Sequence, residues 1–166
     1  VCYNMKMICP KYLAAAVFVA SVAVGVFSTE AAAQNAEDVR RLIEEQTLAI
    51  NADSQVAEAY GKRGGLYILI DEYDLAIQDF QQVLAISKNK DERAAALLGI
   101  GLSHSGNGDH KEALKQINEA IRQNSKTMEA QAYLLRGYTH EALGDSEKAD
   151  ADFARAAKLG LGGRSP

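Results

Sequence analysis

One pattern of glycine, alanine and large side chains occurs three times along this chain. Gly64 is followed twelve residues later by Ala76, and equivalent pairs recur after offsets of 37 and then 36 residues. The later pairs are Gly101 with Ala113 and Gly137 with Ala149. The large residues at fixed spacings around the pairs are Tyr60, Tyr67, Phe80, Tyr133 and Phe153. Self-similarity at this period indicates a stack of similar units, each of which packs on its neighbours.

The residue types within the pattern favour pairs of closely packed helices. The chain has two prolines, Pro10 and Pro166, and both lie outside the repeated region, which can therefore be helical throughout. A glycine inside a helix costs about 1 kcal/mol relative to alanine. We therefore expect each repeated glycine to let the paired helix approach closely, with the repeated alanine as its small partner and Phe80 and Phe153 filling the space between adjacent repeats.

These residues resemble the tetratricopeptide repeat, which has an aromatic residue, a Leu-Gly pair, a Tyr and then an Ala and a Phe four residues apart. The resemblance covers roughly residues 54–161. Two departures are the arginines Arg63 and Arg136, which precede the glycine where the family has leucine, and the absence of the closing proline. The resemblance implies an all-α fold: a right-handed superhelical stack of antiparallel helix pairs, with about seven helices in the mature chain.

The sequence divides into four parts. Residues 1–33 are predicted to be a leader and cleavable signal peptide, 34–53 an N-terminal packing helix, 54–161 three repeats, and 162–166 a disordered tail. The repeats are placed at about 57–90, 94–126 and 130–161. Their helix pairs are expected at 54–69 with 73–86, 91–105 with 109–122, and 127–142 with 146–158, after a lone helix at 36–50.

The first 33 residues have the features of an export signal. Lys6 and Lys11 precede an uncharged run at 13–27, and an Ala-Ala-Ala sequence ends at Ala33, just before Gln34. The alternative is a retained membrane anchor, but a spanning helix needs about 20 apolar residues, more than this run provides. We therefore expect cleavage near Ala33, followed by a periplasmic or secreted location for a mature protein with no membrane span.

Composition argues against several kinds of chemistry. Both cysteines, Cys2 and Cys9, precede the expected cleavage site, so the mature protein would have no thiol for catalysis or metal binding. The net charge is −4 and no basic stripe is present, which is unlike a nucleic-acid-binding protein. His104 and His140 occupy the repeated tyrosine position, so we expect packed, hydrogen-bonded rings rather than ligands. The sequence therefore predicts no enzyme activity, no cofactor and no metal.

The first helix of each pair lines a concave groove in the family that the sequence resembles. One face of these helices is mainly apolar, which predicts a site for a peptide or helix rather than a clamp for acidic tails. The predicted groove residues are Glu58, Gly65, Ile68, Leu98, Leu102, Gln131, Leu134, Tyr138 and Glu141. Two alternatives stay open: the N-terminal helix could cover part of the groove, or curvature could bury its leucines.

Three functions are compatible with these observations. The first is a non-catalytic, exported interaction module that binds a protein or peptide in the groove. The second is a structural subunit of a cell-envelope assembly that docks through the C-terminal helix, which is also a candidate surface for self-association. The third, a small-ligand binder or enzyme, is the weakest because few polar groups converge in the groove.

Overall fold

The computed structural model describes residues 36–161, and within this range the chain is helical with short turns. Its helices are α1 (Ala36–Ala52), α2 (Ala57–Leu69), α3 (Tyr73–Ile86), α4 (Lys90–Gly106), α5 (His110–Arg122), α6 (Glu129–Ala142) and α7 (Ser146–Lys158). Each boundary lies within three residues of its prediction, the largest difference being a start at 57 rather than 54. The predicted signal peptide and C-terminal tail lie outside the described residues.

Successive helices form three antiparallel pairs that stack in one direction. The most extensive contacts lie within the pairs α2–α3, α4–α5 and α6–α7, and the second helix of each pair also packs on the first helix of the next. The first helices touch one another, α2 with α4 and α4 with α6, whereas the second helices make no comparable contact in the described part of the chain. The first helices therefore lie on the inner side of an all-α solenoid, which confirms the predicted fold class.

Two glycines and one aspartate make the tight turns between paired helices. Gly108 and Gly144 have φ values of 83° and 80°, and Asp71 takes the equivalent position in the first pair with φ 61°. Glycine adopts this left-handed conformation without steric cost, and aspartate is among the few other residues that tolerate it. Three-residue turns of this kind bring the second helix back against the first.

Phenylalanine side chains occupy the space left by three helical glycines, Gly64, Gly99 and Gly137. A Cβ atom at Gly64 would lie 3.1 Å from the ring of Phe80, and one at Gly99 would lie 2.5 Å from it. Phe80 thus packs against its own repeat and the next one, as expected. Phe153 differs from the expectation: its neighbours are Gly137 and Tyr138 of its own repeat, and no further repeat follows it among the described residues.

The helix α1 occupies the position of a second helix placed before the first repeat. It packs on α2 and makes no comparable contact with α4 or α6 in the described part of the chain. Its Thr47 hydroxyl accepts a hydrogen bond from Arg63 of α2. In the same way, the side-chain oxygen of Asn118 in α5 accepts a hydrogen bond from Arg136 of α6. The predicted packing of α1 on the first repeat is therefore observed, on the outer side rather than across α4.

Candidate protein-interaction site

A cleft of about 330 Å³ lies between the N-terminal halves of α2 and α4, with α3 behind them. Its apolar lining comes from small residues of the first helices and larger ones from the neighbouring segments: Ala57, Gly61, Ala95, Ala96, Phe80, Val83 and Met128. Its polar lining consists of Glu58, Asp91, Glu92 and Thr127. A concave site with an apolar floor and a few polar groups is the usual form of a binding site in proteins.

The apolar residues of the predicted groove lie in the core. Leu98 has no exposed surface, and Ile68, Leu102 and Leu134 expose 5 or 6% of theirs. Gly65 is also buried. A ligand could not reach these side chains without a rearrangement of the helices. Their burial fits the alternative in which curvature encloses the apolar stripe, and their contact with a ligand stays a prediction.

The polar residues of the predicted groove are more accessible. Glu58 is exposed and its carboxylate lies 2.7 Å from the ammonium group of Lys62. Gln131, Tyr138 and Glu141 are half-buried. Tyr138 packs edge-on against Phe153, with ring centroids 5.0 Å apart, so it supports the third repeat from the inside. Among these four residues, Glu58 is the one that lines the cleft.

A buried ion pair that the sequence analysis did not anticipate lies in the first repeat. The Arg63 guanidinium donates two hydrogen bonds of 2.8 Å to the two carboxylate oxygens of Asp79, and its side chain is 17% exposed. The hydrogen bond to Asp79 raises the pKa of Arg63 against the opposing effect of burial. The rings of Tyr60 and Tyr67 lie 5.7 and 5.8 Å from the guanidinium carbon. These contacts join α2 to α3 through one charged cluster.

The third repeat contains the same arrangement at equivalent positions. Arg136 donates two hydrogen bonds of 2.7 Å to Asp152 and one of 2.8 Å to Asn118. The Tyr133 ring lies 5.1 Å from the guanidinium carbon. The sequence held a signal for both pairs, because each unusual arginine is followed sixteen residues later by an aspartate, whereas Ile100 of the middle repeat is followed by Gln116.

The repeated histidines differ in one respect from expectation. Both are partly buried, but Nδ1 of His104 and of His140 has no hydrogen-bond partner among the described residues, so the expected hydrogen bonding is not found at this atom. Burial lowers the pKa of His140, and nearby Arg136 acts in the same direction, while Asp152, at 4.0 Å, opposes them. The described residues contain no group of three or more His, Cys, Asp or Glu side chains that could hold a metal ion.

The stacked helix pairs, with first helices inside and glycine contacts between partners, define a helical repeat protein of the solenoid class. Two family models, both described as tetratricopeptide repeat, match residues 55–126 and 130–159. The chain belongs to the tetratricopeptide repeat family. In the part that the structure describes, no helix has the length and apolar character needed to cross a membrane.

Several characterised proteins are similar to this chain. Photosystem I assembly protein Ycf3 of Synechococcus elongatus is 28% identical over 118 residues, which is 68% of each chain. The same protein of Synechococcus sp. (strain CC9311) is 30% identical over 118 residues, again 68% of each. Human tetratricopeptide repeat protein 13 is 35% identical over 82 residues, 49% of this chain and 9% of that protein.

Solved structures share the architecture. A crystal structure of MamA superposes with a TM-score of 0.60 at 26% identity, covering 70% of this chain and 66% of that one. The tetratricopeptide repeat domain of Arabidopsis FLU superposes with a TM-score of 0.57 at 22% identity, covering 63% of this chain and 94% of that one. At these identities the likeness establishes the fold of the repeat region.

Proposed function

We propose that this protein is a non-catalytic interaction module that binds a segment of a protein partner on the inner side of its solenoid. The observation that carries the proposal is the cleft between α2 and α4. It lies on the side where the first helices of successive repeats meet, and it combines an apolar floor with polar groups at the mouth. Such an arrangement suits a short peptide or one turn of a helix better than a reaction, since no catalytic constellation lines it.

The names of several relatives agree with a role in handling protein subunits. Ycf3 proteins are named as photosystem I assembly proteins. By analogy, we propose that this module holds a protein client during the assembly of a larger complex. Because fold likeness alone does not transfer a partner, the identity of that client is not carried over.

The last helix is the main alternative docking surface. In the first repeat, Ile77 and Leu84 of α3 are partly buried apolar side chains that pack against the hydrophobic core. The equivalent residues of α7 are Asp150 and Ala157, and both are exposed. A charged residue and a small one offer little apolar area to a partner, so the outer face of α7 favours solvent. This difference supports the inner side as the binding surface over docking through α7.

Export is part of the proposal. It is supported by the lysines, the apolar run and the Ala-Ala-Ala sequence before Gln34. N-terminal sequencing of the protein purified from an exported fraction should begin at or near Gln34. Recovery of the intact leader in a cytoplasmic fraction would contradict the export hypothesis and leave the binding hypothesis standing.

Partner capture with two sets of variants tests the binding surface. The inner-side set carries Ala95→Arg and Thr127→Arg, at two accessible positions that line the cleft, and the control set carries Asp150→Arg and Ala154→Arg on the exposed face of α7. We expect the inner-side variants to lose the partner and the α7 variants to retain it, with circular dichroism verifying the fold of each. The opposite result would establish α7 as the docking surface. Leu102→Asp is unsuitable for this purpose, because Leu102 is buried and the change would test stability instead.

A further inference from the structure

The cleft between α2 and α4 has three carboxylates at its mouth. Glu58 comes from the first turn of α2, and Asp91 and Glu92 come from the first turn of α4, so two successive repeats contribute to it. None of the described residues that line the cleft is lysine or arginine. A ligand that enters the cleft must therefore pass three carboxylates before it reaches the apolar floor.

Neighbouring side chains neutralise this charge only in part. Lys62 pairs with Glu58 at the surface, at 2.7 Å. The Ser87 hydroxyl donates a hydrogen bond of 2.5 Å to the Glu92 carboxylate, but this uncharged donor does not neutralise the negative charge of Glu92. Two cations flank the α4 acids in sequence: the Lys90 ammonium donates to the backbone carbonyl oxygen of Asn124 at 3.5 Å, and Arg93 donates to the backbone carbonyl oxygens of Leu84 and Ser87 at the end of α3. Among the described ion pairs, Glu58 is thus the one mouth carboxylate that a cation contacts directly.

The position of these acids has a second physical explanation. Carboxylates in the first turn of a helix are stabilised by the helix dipole, whatever lies in front of them. Acidic residues at helix starts would not define a site by themselves. Here they surround one cleft whose floor includes Phe80, Val83 and Met128, so charge and apolar surface are offered to the same ligand.

We propose that this cleft selects a basic segment of the partner protein, in which one apolar side chain enters the cleft and a flanking lysine or arginine lies against Glu58, Asp91 and Glu92. The inference rests on the proposed function and adds the chemistry of the partner. Complementary charge sets specificity and association rate more than affinity, and an acidic segment would be repelled. This preference is the reverse of a carboxylate clamp.

Matched synthetic peptides test the proposal with the full-length protein. Three fluorescein-labelled twelve-residue peptides share a Gly-Ser background: one has a central leucine flanked by lysines, one replaces the lysines by glutamates, and one replaces the leucine by alanine. Fluorescence anisotropy in low salt should show the lysine–leucine peptide binding at least tenfold more tightly than the other two. Raising the salt should weaken this binding, because exposed charges are screened over about 10 Å at 0.1 M.

Charge reversal at the mouth supplies the decisive variant. The Glu58 side chain is 71% exposed, so Glu58→Lys should fold normally, and it should weaken the lysine–leucine peptide about tenfold. Glu147→Lys on the exposed surface of α7 changes the net charge equally and should leave the affinity unchanged. Equal loss in both variants would show a long-range effect of net charge and would overturn the proposal. Absence of binding by the lysine–leucine peptide would overturn it as well.

The outcome is separable from that of the proposed function. If the natural partner is lost on Ala95→Arg with Thr127→Arg but unaffected by Glu58→Lys, the cleft is the binding surface and the carboxylates at its mouth are not its specificity element. If the partner is lost on Glu58→Lys and retained by Glu147→Lys, both hypotheses hold.

Discussion

The first and third repeats differ from the middle repeat in the chemistry of one equivalent position. In the outer repeats, Arg63 and Arg136 each form a two-pronged ion pair with an aspartate of the second helix. In the middle repeat, the equivalent residues are Ile100, which is 3% exposed, and Gln116. These positions are equivalent in all three repeats, so the solenoid accepts either a charged or an apolar contact between the two helices of a pair. We call this contact the joint of the repeat.

The charged joints occur with their supporting residues as complete sets. Arg63 also bonds to Thr47 on the preceding helix, and Arg136 bonds to Asn118. For the middle repeat, the preceding helix α3 has Gln81 at the position of Asn118. Gln81 is exposed, and the apolar Ile100 needs no hydrogen-bond partner. A buried polar network is stabilising when every member is satisfied and costly when one is missing. The comparison teaches that these positions have to change together.

Removal of one partner should break the charged joint with the largest effect. Asp79→Ala leaves the partly buried Arg63 guanidinium without its carboxylate, and we expect a loss of about 3 kcal/mol, the lower end of the range for breaking a buried ion pair, because 17% of the Arg63 side chain is exposed. Urea unfolding followed by circular dichroism measures the change. Gln116→Ala in the middle repeat is the matched control and should cost far less, because Gln116 bonds to Glu112 on its own helix. Equal losses in the two variants would contradict the structural weight given to the ion pair.

Glycine replacement should separate the repeats by how tightly they are packed. A Cβ at Gly137 would lie 2.6 Å from Phe153, whereas one at Gly64 would lie 3.1 Å from Phe80. Gly137→Ala should therefore destabilise the protein by about 1–3 kcal/mol through overpacking. Gly64→Ala should change stability by less than about 1 kcal/mol, because the gain in helix propensity offsets the small displacement of the ring. Thermal unfolding of both variants gives the order, and a reversed order would refute this account of the third repeat.

Much of the fold could be predicted from the sequence because the same pattern occurs in three copies. Glycine, alanine and aromatic positions at a constant spacing fix the helix pairs, and glycines suited to a left-handed conformation, Gly108 and Gly144, make two of the turns between them. The accessible surface was harder to predict. A helical face containing Leu98 and Leu102 has the same spacing whether it faces a ligand or the neighbouring helix, and only the packing of three units shows that it is enclosed.

The candidate site was predictable only in part for a related reason. The helical position of Glu58 places it on the inner face, but in the sequence alone the helix dipole is a sufficient explanation for Asp91 and Glu92. Their shared cleft depends on the distance between α2 and α4, which no local pattern contains. The ion pairs depend instead on a sixteen-residue spacing that is visible in the sequence once two repeats are compared with the third.

Replacing the charged joint of the first repeat by the apolar joint of the middle repeat should have a smaller effect on stability. The triple variant Arg63→Ile, Asp79→Gln and Leu75→Glu reproduces the residues of the middle repeat, where Gln116 bonds to Glu112. Thr47 keeps a partner, because its hydroxyl already donates to the carbonyl oxygen of Ile43. Replacement of a buried ion pair by a well-packed apolar joint is often neutral or stabilising, so the stability should stay within about 1 kcal/mol of the wild type or rise.

The triple variant has its own test of failure. The single change Arg63→Ile leaves Asp79 buried and unpaired, and it should be the least stable member of the series in urea unfolding. If the triple variant is no more stable than this single change, then the joints are not interchangeable, and the surroundings of each repeat determine which one it can accept.

The smallest expected effect concerns pH and the tyrosine position, which is Tyr67 in the first repeat and His140 in the third. Burial is the main cause that lowers the pKa of His140 in the folded state, and Arg136 and Lys148 add to it while Asp152 and Asp145 oppose it.

A lowered pKa in the folded state means that the folded protein favours the neutral His140 ring. This preference has no effect on stability at a pH above the pKa of the unfolded chain, about 6.5, where the ring is neutral in both states. As the pH falls below that value, the unfolded chain gains the proton first, so stability decreases. His140→Tyr, which introduces the residue found at Tyr67, removes this group, and urea unfolding at pH 7.5 and 5.5 should show a larger loss of stability in the wild type than in the variant. Equal pH dependence in the two proteins would show that His140 protonates as readily in the folded repeat as in the unfolded chain.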